Sequence, residues 1–575
     1  MRVCRTELPA RRLASAVAVL LLSAASATAQ PISLSPPPAV PASSAPTESP
    51  APPVGGDNTI QIAPLQPVDT SWTGLLNTSK GGFARDMWNG ASRSFVTTAL
   101  PQLQPVTSPA LVNLARRLLL SDATAPSGPV EPAGSDNLLA IRIDRIYALG
   151  FVNDGLALIQ SLPPTAASEA IDRDLVELHF AANDTNVACQ EINDRIAQYS
   201  GVWWARALIA CQALSGDFTK ASFGQSLLVD QKAPPDPEFD RLIRLIAERR
   251  AGKIARLGDP TPLRVALLVA AKRPLPDTAI AVADPSALAE YATNDTVPPL
   301  DRLAAAERAE ALGAIPPQAL GALYGAISFT PDELARARRT VRLPTDARER
   351  AMLYALAKSG TDFTVRMTAL AALATDAAKL GVFVPMARVL APTLADIPNV
   401  NADPKFAAIA ARILLAAGYA DAAKPWIAAS GDKAAALLAV LAQPGVPQVD
   451  PGLLHDAIVA GNPAGAGAHA DLIYALLSAL GADPTALANL APAALAAPPT
   501  PGAVPNTALW ALQQQSAQNA ELGQTVLATL LIAESGGALT AEPLALDRAV
   551  AGLHAVGLDA DAHALALEAA LDAGI

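Results

Sequence analysis

A short helix-ending signature recurs along most of this chain and limits what it can fold into. Apolar residues at spacings of three and four positions lead into a glycine, which is the pattern of a helix that ends at a turn. A small residue usually follows five or six positions later, as Ala221 follows Gly216, and lets a second helix approach the first. The signature therefore predicts antiparallel helical hairpins with turns at Gly150, Gly216, Gly313, Gly381, Gly418, Gly481 and Gly557.

The spacing of these glycines predicts a repeated unit. Successive glycines are 66, 97, 68, 37, 63 and 76 residues apart by subtraction of their numbers. These distances are close to two, three, two, one, two and two units of about 34 residues, the length of a helix-turn-helix repeat. Aromatic residues make up only 4% of the chain, and a composition dominated by alanine and leucine favours helices over sheets. We therefore predict an all-α protein, an α-solenoid of antiparallel helical hairpins.

One stretch, Trp203–Leu228, carries the pattern most completely. Its first helix begins with an aromatic residue, Trp204, its turn contains Gly216, and Ala221 follows five residues later. These positions resemble the tetratricopeptide family, whose repeat has an early aromatic residue, a turn glycine and an alanine five residues on. The family's closing proline is displaced here, and the other units keep little beyond the glycine and the alanine. The resemblance implies an α-solenoid and no particular ligand.

The N-terminal segment has the features of an export signal. Residues 1–29 combine four arginines, an apolar run from Leu13 to Ala25 and a small-x-small sequence at Ala27–Ala29. This is the pattern of a secretory signal peptide, and the apolar run is short for a stable anchor. We predict cleavage after residue 29 and a periplasmic or secreted location, with a retained signal anchor as the alternative. Residues 30–68 are rich in proline, which predicts a disordered linker.

The composition along the rest of the chain suggests several blocks. Aromatic side chains concentrate in residues 69–122, including Trp72, Phe83, Trp88 and Phe95, and we predict that these residues form an N-terminal helical cap of the kind that repeat arrays need. A ligand pocket built on Trp72 and Trp88 is the alternative. Proline clusters divide the remainder into helical repeats with a cysteine pair at 136–260, further helical repeats at 261–445, and C-terminal helical repeats and a cap at 446–575.

Two of the three cysteines, Cys189 and Cys211, remain after removal of the signal peptide. An even pair in an oxidising compartment usually forms a bridge, and the Cys-x-x-Cys spacing of redox catalysts is absent. Helices predicted at 185–199 and 202–214 place the turn at Ser200, eleven residues from each cysteine. The two cysteines then lie level on antiparallel helices. We predict a structural disulfide.

The sequence offers no group of residues that forms a recognisable chemical site. It lacks paired metal ligands at a known spacing, a Gly-x-Ser-x-Gly elbow, a phosphate-binding loop and a dinucleotide fingerprint. Glu534 and Ser535 resemble the start of the site of soluble lytic transglycosylases, but the Gly-Leu-Met-Gln element of that family does not follow. We therefore predict no catalytic, cofactor-binding or metal-binding residues and no cofactor.

The charge of the chain excludes some partners. Its net charge is −11, and removal of the four arginines and Glu7 of residues 1–29 leaves 38 basic and 52 acidic residues, a net charge of −14. Such a chain is repelled by phosphate backbones, so we predict no nucleic-acid partner. No later apolar run approaches 20 residues, so we also predict no transmembrane segment after signal removal.

These observations favour a binding protein over an enzyme. Solenoids present long concave surfaces, and without convergent polar groups such a surface suits proteins or peptides better than small substrates. We expect an exported, non-enzymatic helical-repeat scaffold or interaction protein of the cell envelope. The alternatives are an envelope enzyme that acts on cell-wall glycan and a purely structural envelope protein. Paired buried carboxylates in a pocket would favour the enzyme, whereas a groove would favour the scaffold.

Overall fold

All regular secondary structure in the described part of the chain is helical. A computed structural model describes residues 69–131, 137–248, 254–395, 397, 403–460, 465–495, 506–534 and 543–575. Within these ranges there are 29 α-helices and no strand, with only two isolated β-bridges. The predicted all-α class is therefore confirmed, and the consecutive helical hairpins are consistent with an α-solenoid. The predicted signal peptide and linker lie outside the described residues.

The helices of the first part of the chain are short, and many begin at a proline or after a capping side chain. Proline is favoured at the first helical position because the N–H that it lacks has no partner inside the helix. The described residues up to Arg339 contain α1 (Arg93–Ala99), α2 (Pro109–Leu120), α3 (Leu138–Ala148), α4 (Val152–Ser161), α5 (Glu169–Ala181), α6 (Thr185–Arg195), α7 (Val202–Leu214), α8 (Phe218–Asp230), α9 (Pro237–Glu248), α10 (Pro262–Ala270), α11 (Asp277–Ile280), α12 (Pro285–Thr293), α13 (Pro299–Ala311), α14 (Pro317–Ala326) and α15 (Pro331–Arg339).

The second part continues in the same way, with α17 as its longest helix. The described residues from Ala347 onward contain α16 (Ala347–Ser359), α17 (Phe363–Lys379), α18 (Phe383–Ala395), α19 (Pro404–Ala416), α20 (Ala420–Ser430), α21 (Lys433–Leu441), α22 (Pro451–Leu454), α23 (Ala466–Ala479), α24 (Pro484–Leu487), α25 (Ala491–Leu495), α26 (Thr507–Gln518), α27 (Leu522–Glu534), α28 (Pro543–Ala555) and α29 (Asp559–Asp572). Three 3-10 turns (Thr78–Lys80, Leu100–Gln102, Pro164–Ala166) and a π-helical turn (His455–Ala460) accompany the α-helices in the described ranges. No helix in these ranges is both long enough and apolar enough to cross a bilayer.

Each of the seven signature glycines lies between two consecutive helices. Their φ angles run from 68° to 84°, a left-handed conformation that glycine adopts without the steric cost of a Cβ atom. At Gly216, the glycine N–H donates to the carbonyl of Ala213, and the next N–H donates to the carbonyl of Gln212. These bonds satisfy carbonyls that the end of α7 leaves free.

Buried side chains from nearly the whole described chain join one hydrophobic core, from Trp72 to Ile575. In an open solenoid each repeat contacts only its neighbours. Here the last helix, α29, packs against α28 and also against α2, α18, α19 and α21. Helices that are far apart in the sequence therefore share this core.

The predicted N-terminal cap, residues 69–122, is built around two tryptophans. Trp72 and Trp88 are 0% and 2% exposed, and their ring centroids lie 4.6 Å apart in an edge-to-face contact. The guanidinium of Arg142 lies 4.8 Å above the Trp72 ring and donates to the carbonyls of Leu119 and Thr73. Burial lowers the pKa of Arg142 to about 9. Both tryptophan rings belong to side-chain packing, so this alternative site for a ligand is filled by the protein itself.

Contacts across a long sequence separation join the start of α2 to α29. The hydroxyl of Ser108 and the N–H of Ala110 donate to the buried carboxyl group of Glu568, 460 and 458 residues away. Arg117 also pairs with Asp561 at 2.6 Å. Residues 69–122 therefore pack against the C-terminal helices as well as against α3, which follows them.

Candidate functional site

A groove of about 490 Å³ lies between α4, the segment 162–168, α5 and α6. Its volume falls in the range of small-molecule and peptide sites. Aliphatic side chains form most of its surface, including Leu156, Ile159, Leu162, Ile171, Leu175 and Val187. We refer to it as the α4–α6 groove. An apolar floor that remains open to water is a surface that another molecule can cover.

Helix α6 supplies one wall of this groove. Val187, Glu191 and Arg195 line the groove at spacings of four residues, which places them on one face of the helix. Ala188 and Ile192, one position further on, are completely buried. The helix is therefore anchored in the core on one side, while the adjacent stripe faces the groove.

The disulfide between Cys189 and Cys211 fixes α6 against α7. The two Cα atoms are 5.5 Å apart, within the range that a disulfide requires. Helix α7 spans Val202–Leu214, as predicted, whereas α6 ends at Arg195 and is shorter than the predicted 185–199. The bridge closes a separation of 22 residues and holds the wall of the groove in place.

An aromatic cluster supports the same wall from the connection between α6 and α7. Tyr199 stacks on Trp204 with ring centroids 5.0 Å apart, and Trp203 meets Trp204 edge to face at 4.9 Å. Trp204 is buried and its indole N–H donates to Glu169 at the start of α5. The aromatic residue that suggested a tetratricopeptide-like unit therefore ties α7 to α5.

The charged end of the groove is organised by Arg195. Its guanidinium pairs with Asp172 at 3.0 Å and with Glu191, and the Tyr199 hydroxyl donates to Asp172 at 2.8 Å. Burial opposes the charge of Arg195, but the hydrogen bond to Asp172 and the nearby carboxylates raise its pKa overall. Burial and the bond to Asp172 raise the pKa of Tyr199 to about 12. This end therefore carries a stable ion pair network.

His179 is a further polar side chain in the groove. It is half-buried, its Nδ1 has no hydrogen-bond partner, and burial lowers its pKa. A neutral imidazole nitrogen can accept or donate one hydrogen bond, depending on its tautomer. The His179 ring lines the groove, whereas its Nδ1 is buried.

The charged side chains of the groove pair with one another. Asp172 and Glu191 both pair with Arg195. Among the described residues that line the groove, there is no serine, cysteine or lysine that could act as a nucleophile beside a base. The described residues contain no cluster of three His, Cys, Asp or Glu side chains that could hold a metal ion. The groove therefore combines an aliphatic floor with one charged end.

Paired carboxylates, the feature expected of a glycan-cleaving enzyme, occur elsewhere in the molecule. Glu307 of α13 and Asp376 of α17 lie 2.7 and 3.3 Å from the guanidinium of Arg350. The Tyr324 hydroxyl also donates to Glu307. Both carboxylates therefore serve as partners of one arginine, which is the arrangement of a structural ion pair rather than of an acid and a base.

The sequence identified some of these parts and missed others. None of the seven turn glycines lines the groove, and Cys189 and Cys211 support its wall without lining it. The stripe Val187, Glu191 and Arg195 has a helical period, but its mixed polarity does not distinguish it from an ordinary solvent-exposed face. Comparisons with known protein families, with characterised proteins and with solved structures find no match to this chain.

Proposed function

We propose that this protein is an exported scaffold of the cell envelope whose α4–α6 groove binds an extended segment of a partner protein. The observation that carries the proposal is the open aliphatic floor of the groove beside the ion pair network of Arg195. The proposal of export rests on the signal-type pattern of residues 1–29. A periplasmic or secreted location would also suit the Cys189–Cys211 disulfide.

The chemistry of the groove indicates which segment it would take. Ile159, Leu175 and Val187 offer contact to aliphatic or aromatic side chains, and burial of such side chains drives peptide binding. Val187 is 41% exposed, so a bound peptide would remove apolar surface from water. The His179 ring, which lines the groove, would contact the peptide backbone. The partner segment is therefore apolar, extended and not strongly charged.

A peptide selection tests this proposal. Full-length protein would be used to select from a random peptide library, and synthetic versions of the enriched peptides would be titrated against the protein and two variants. Val187→Glu places a charge on the α6 wall of the groove and should weaken binding at least about tenfold. Val229→Glu is the matched control, because Val229 is 75% exposed on α8 and outside the groove. This control should bind like the unmodified protein.

The result can contradict the proposal in two ways. Equal binding by Val187→Glu and Val229→Glu would place the peptide site on another surface. A selection that enriches no peptide would remove the evidence for a peptide-binding scaffold. Circular dichroism of each variant would establish that the helical content is unchanged.

A further inference from the structure

A second cavity, of about 190 Å³, lies between α13, α17, α18 and Thr107, a residue that precedes α2. It shares no lining residue with the α4–α6 groove. Most of its wall is apolar and includes Ala304, Ala311, Leu312, Ala377, Val382 and Met386. We refer to it as the Glu310 cavity. Its apolar wall and small size suit a compact ligand rather than a chain.

Glu310 is a buried polar group in the wall of this cavity, and one of its oxygens lacks a partner. Its side chain lines the cavity and is only 3% exposed, and its Oε1 has no hydrogen-bond partner. The other two acidic residues of the wall, Glu307 and Asp376, are both paired with Arg350. Because a buried polar atom without a partner is costly, this carboxyl group calls for a donor that the described residues do not supply.

The electrostatics of Glu310 agree with its geometry. Burial raises its pKa to about 8, although the positive charge of Arg388 on α18 lowers it. A positively charged donor within the cavity would favour the ionised carboxylate and would replace the hydration that burial removes. Arg308 and Arg350 also line the cavity, so an ionised Glu310 together with Glu307 and Asp376 exceeds these two arginines by one negative charge. The surroundings of Glu310 therefore accept a cation.

We infer that the Glu310 cavity binds a small amine, with an ammonium group that donates to the carboxyl group of Glu310 and a compact apolar body against the alanine and methionine side chains. A buried apolar cavity of about 150 Å³ is large enough for a six-membered ring. The Glu310 cavity has room for such a ring and one amino group. This site is independent of the α4–α6 groove and of the proposed peptide partner.

Two closely matched probes test the inference. Cyclohexylamine has the proposed ammonium group, and cyclohexanol has the same ring with a neutral hydroxyl group. Each would be titrated into the full-length protein and followed by ligand-observed NMR. We expect cyclohexylamine to bind at least about tenfold more tightly than cyclohexanol, because hydrogen bonds to a charged group are the stronger ones.

Two variants locate the bound amine. Glu310→Gln preserves the shape of the side chain and should remove the preference for cyclohexylamine over cyclohexanol. Ala304→Phe fills part of the cavity and should weaken the binding of both probes. Because Ala304 is only half-buried, this second variant tests the site even if the substitution at Glu310 impairs folding.

The opposing results are equally clear. An equal affinity for the two probes, or an absence of binding by either, would overturn the inference. Unchanged cyclohexylamine binding in Glu310→Gln would show that another group holds the ammonium. Unchanged binding in Ala304→Phe would show that the amine binds outside the cavity. None of these outcomes affects the peptide-binding proposal, which the Val187 variant tests separately.

Discussion

Two regions of this molecule contain acidic side chains that are largely shielded from water, and the two regions differ in whether an arginine balances the negative charge. Between α13, α16 and α17, Glu307 and Asp376 share the guanidinium of Arg350. Asp174 of α5 and Glu290 of α12 are 8% and 1% exposed, and each has a carboxyl oxygen without a hydrogen-bond partner. We refer to these as the paired region and the unpaired region.

The two regions show that burial can be compensated by an arginine or by a proton. In the unpaired region, burial raises the pKa of Asp174 to about 8 and that of the adjacent Glu177 to about 7. Burial also raises the pKa of Glu290 well above its ordinary value. A protonated carboxyl group avoids most of the desolvation cost of a carboxylate. The paired region should therefore depend on its cation, and the unpaired region on pH.

The largest expected effect comes from removing the shared cation. Arg350→Met keeps much of the side-chain volume but leaves Glu307 and Asp376 as buried acidic groups without a counter-charge. We expect a loss of about 3 kcal/mol in the free energy of unfolding, because breaking a buried ion pair strands its partners. Urea unfolding followed by circular dichroism would measure the change.

A neighbouring arginine provides the control for this variant. Arg348 lies on the same helix, pairs with Glu333 at 2.8 Å and is 38% exposed, whereas Arg350 is 16% exposed. Arg348→Met should shift the urea midpoint much less than Arg350→Met. Equal shifts would show that the buried position of Arg350 adds nothing to its contribution.

The sequence predicted helices and turns better than it predicted which side chains are buried together. The bounds of α7 follow from the glycines on either side of it, Gly201 and Gly216. Four other left-handed positions are not glycine, so the signature misses the turns at Asn183, Lys232, Lys272 and Ala520. Lysine and alanine adopt this conformation only where the surrounding packing outweighs its steric cost.

The two candidate sites depend on contacts that the sequence pattern does not contain. The level positions of Cys189 and Cys211 predicted the disulfide, because both lie on one local hairpin. The Glu310 cavity instead brings Thr107 together with Met386, and no helical period relates residues at such a separation. The position of a glutamate in the helical pattern also does not show whether its side chain is buried or exposed. Its burial becomes visible only once the helices are packed.

A smaller effect is expected from the unpaired region, where the outcome depends on pH. In the folded chain, Asp174, Glu177 and Glu290 keep their protons to a higher pH than in the unfolded chain. Between about pH 5 and 8 the unfolded state therefore binds fewer protons, and the free energy of unfolding falls as pH rises. The contribution of each group is fully lost only above its pKa in the folded chain.

Glu290→Gln should reduce this dependence on pH. The amide does not titrate, so the variant should gain stability relative to the unmodified protein when the pH rises from 5 to 8. Urea midpoints at both pH values would measure the gain. Asp421→Asn serves as the control, because Asp421 is 93% exposed, and its pH response should match that of the unmodified protein. A Glu290→Gln curve parallel to the control would contradict the proton-compensated burial of this region.

The smallest expected effect comes from an exposed ion pair, which tests whether burial or the distance between the charges determines the contribution to stability. Lys424 lies 2.7 Å from Asp421, the same distance that separates Arg350 from Glu307. The lysine and aspartate side chains are 67% and 93% exposed, so water solvates both charges whether or not they meet. Lys424→Met should therefore leave the urea midpoint unchanged. A shift as large as that of Arg350→Met would mean that the distance between charges, and not their removal from water, determines their contribution. Such a result would contradict the comparison. An exposed aspartate stays hydrated when its partner is removed, whereas a buried glutamate must take up a proton or remain charged at high cost.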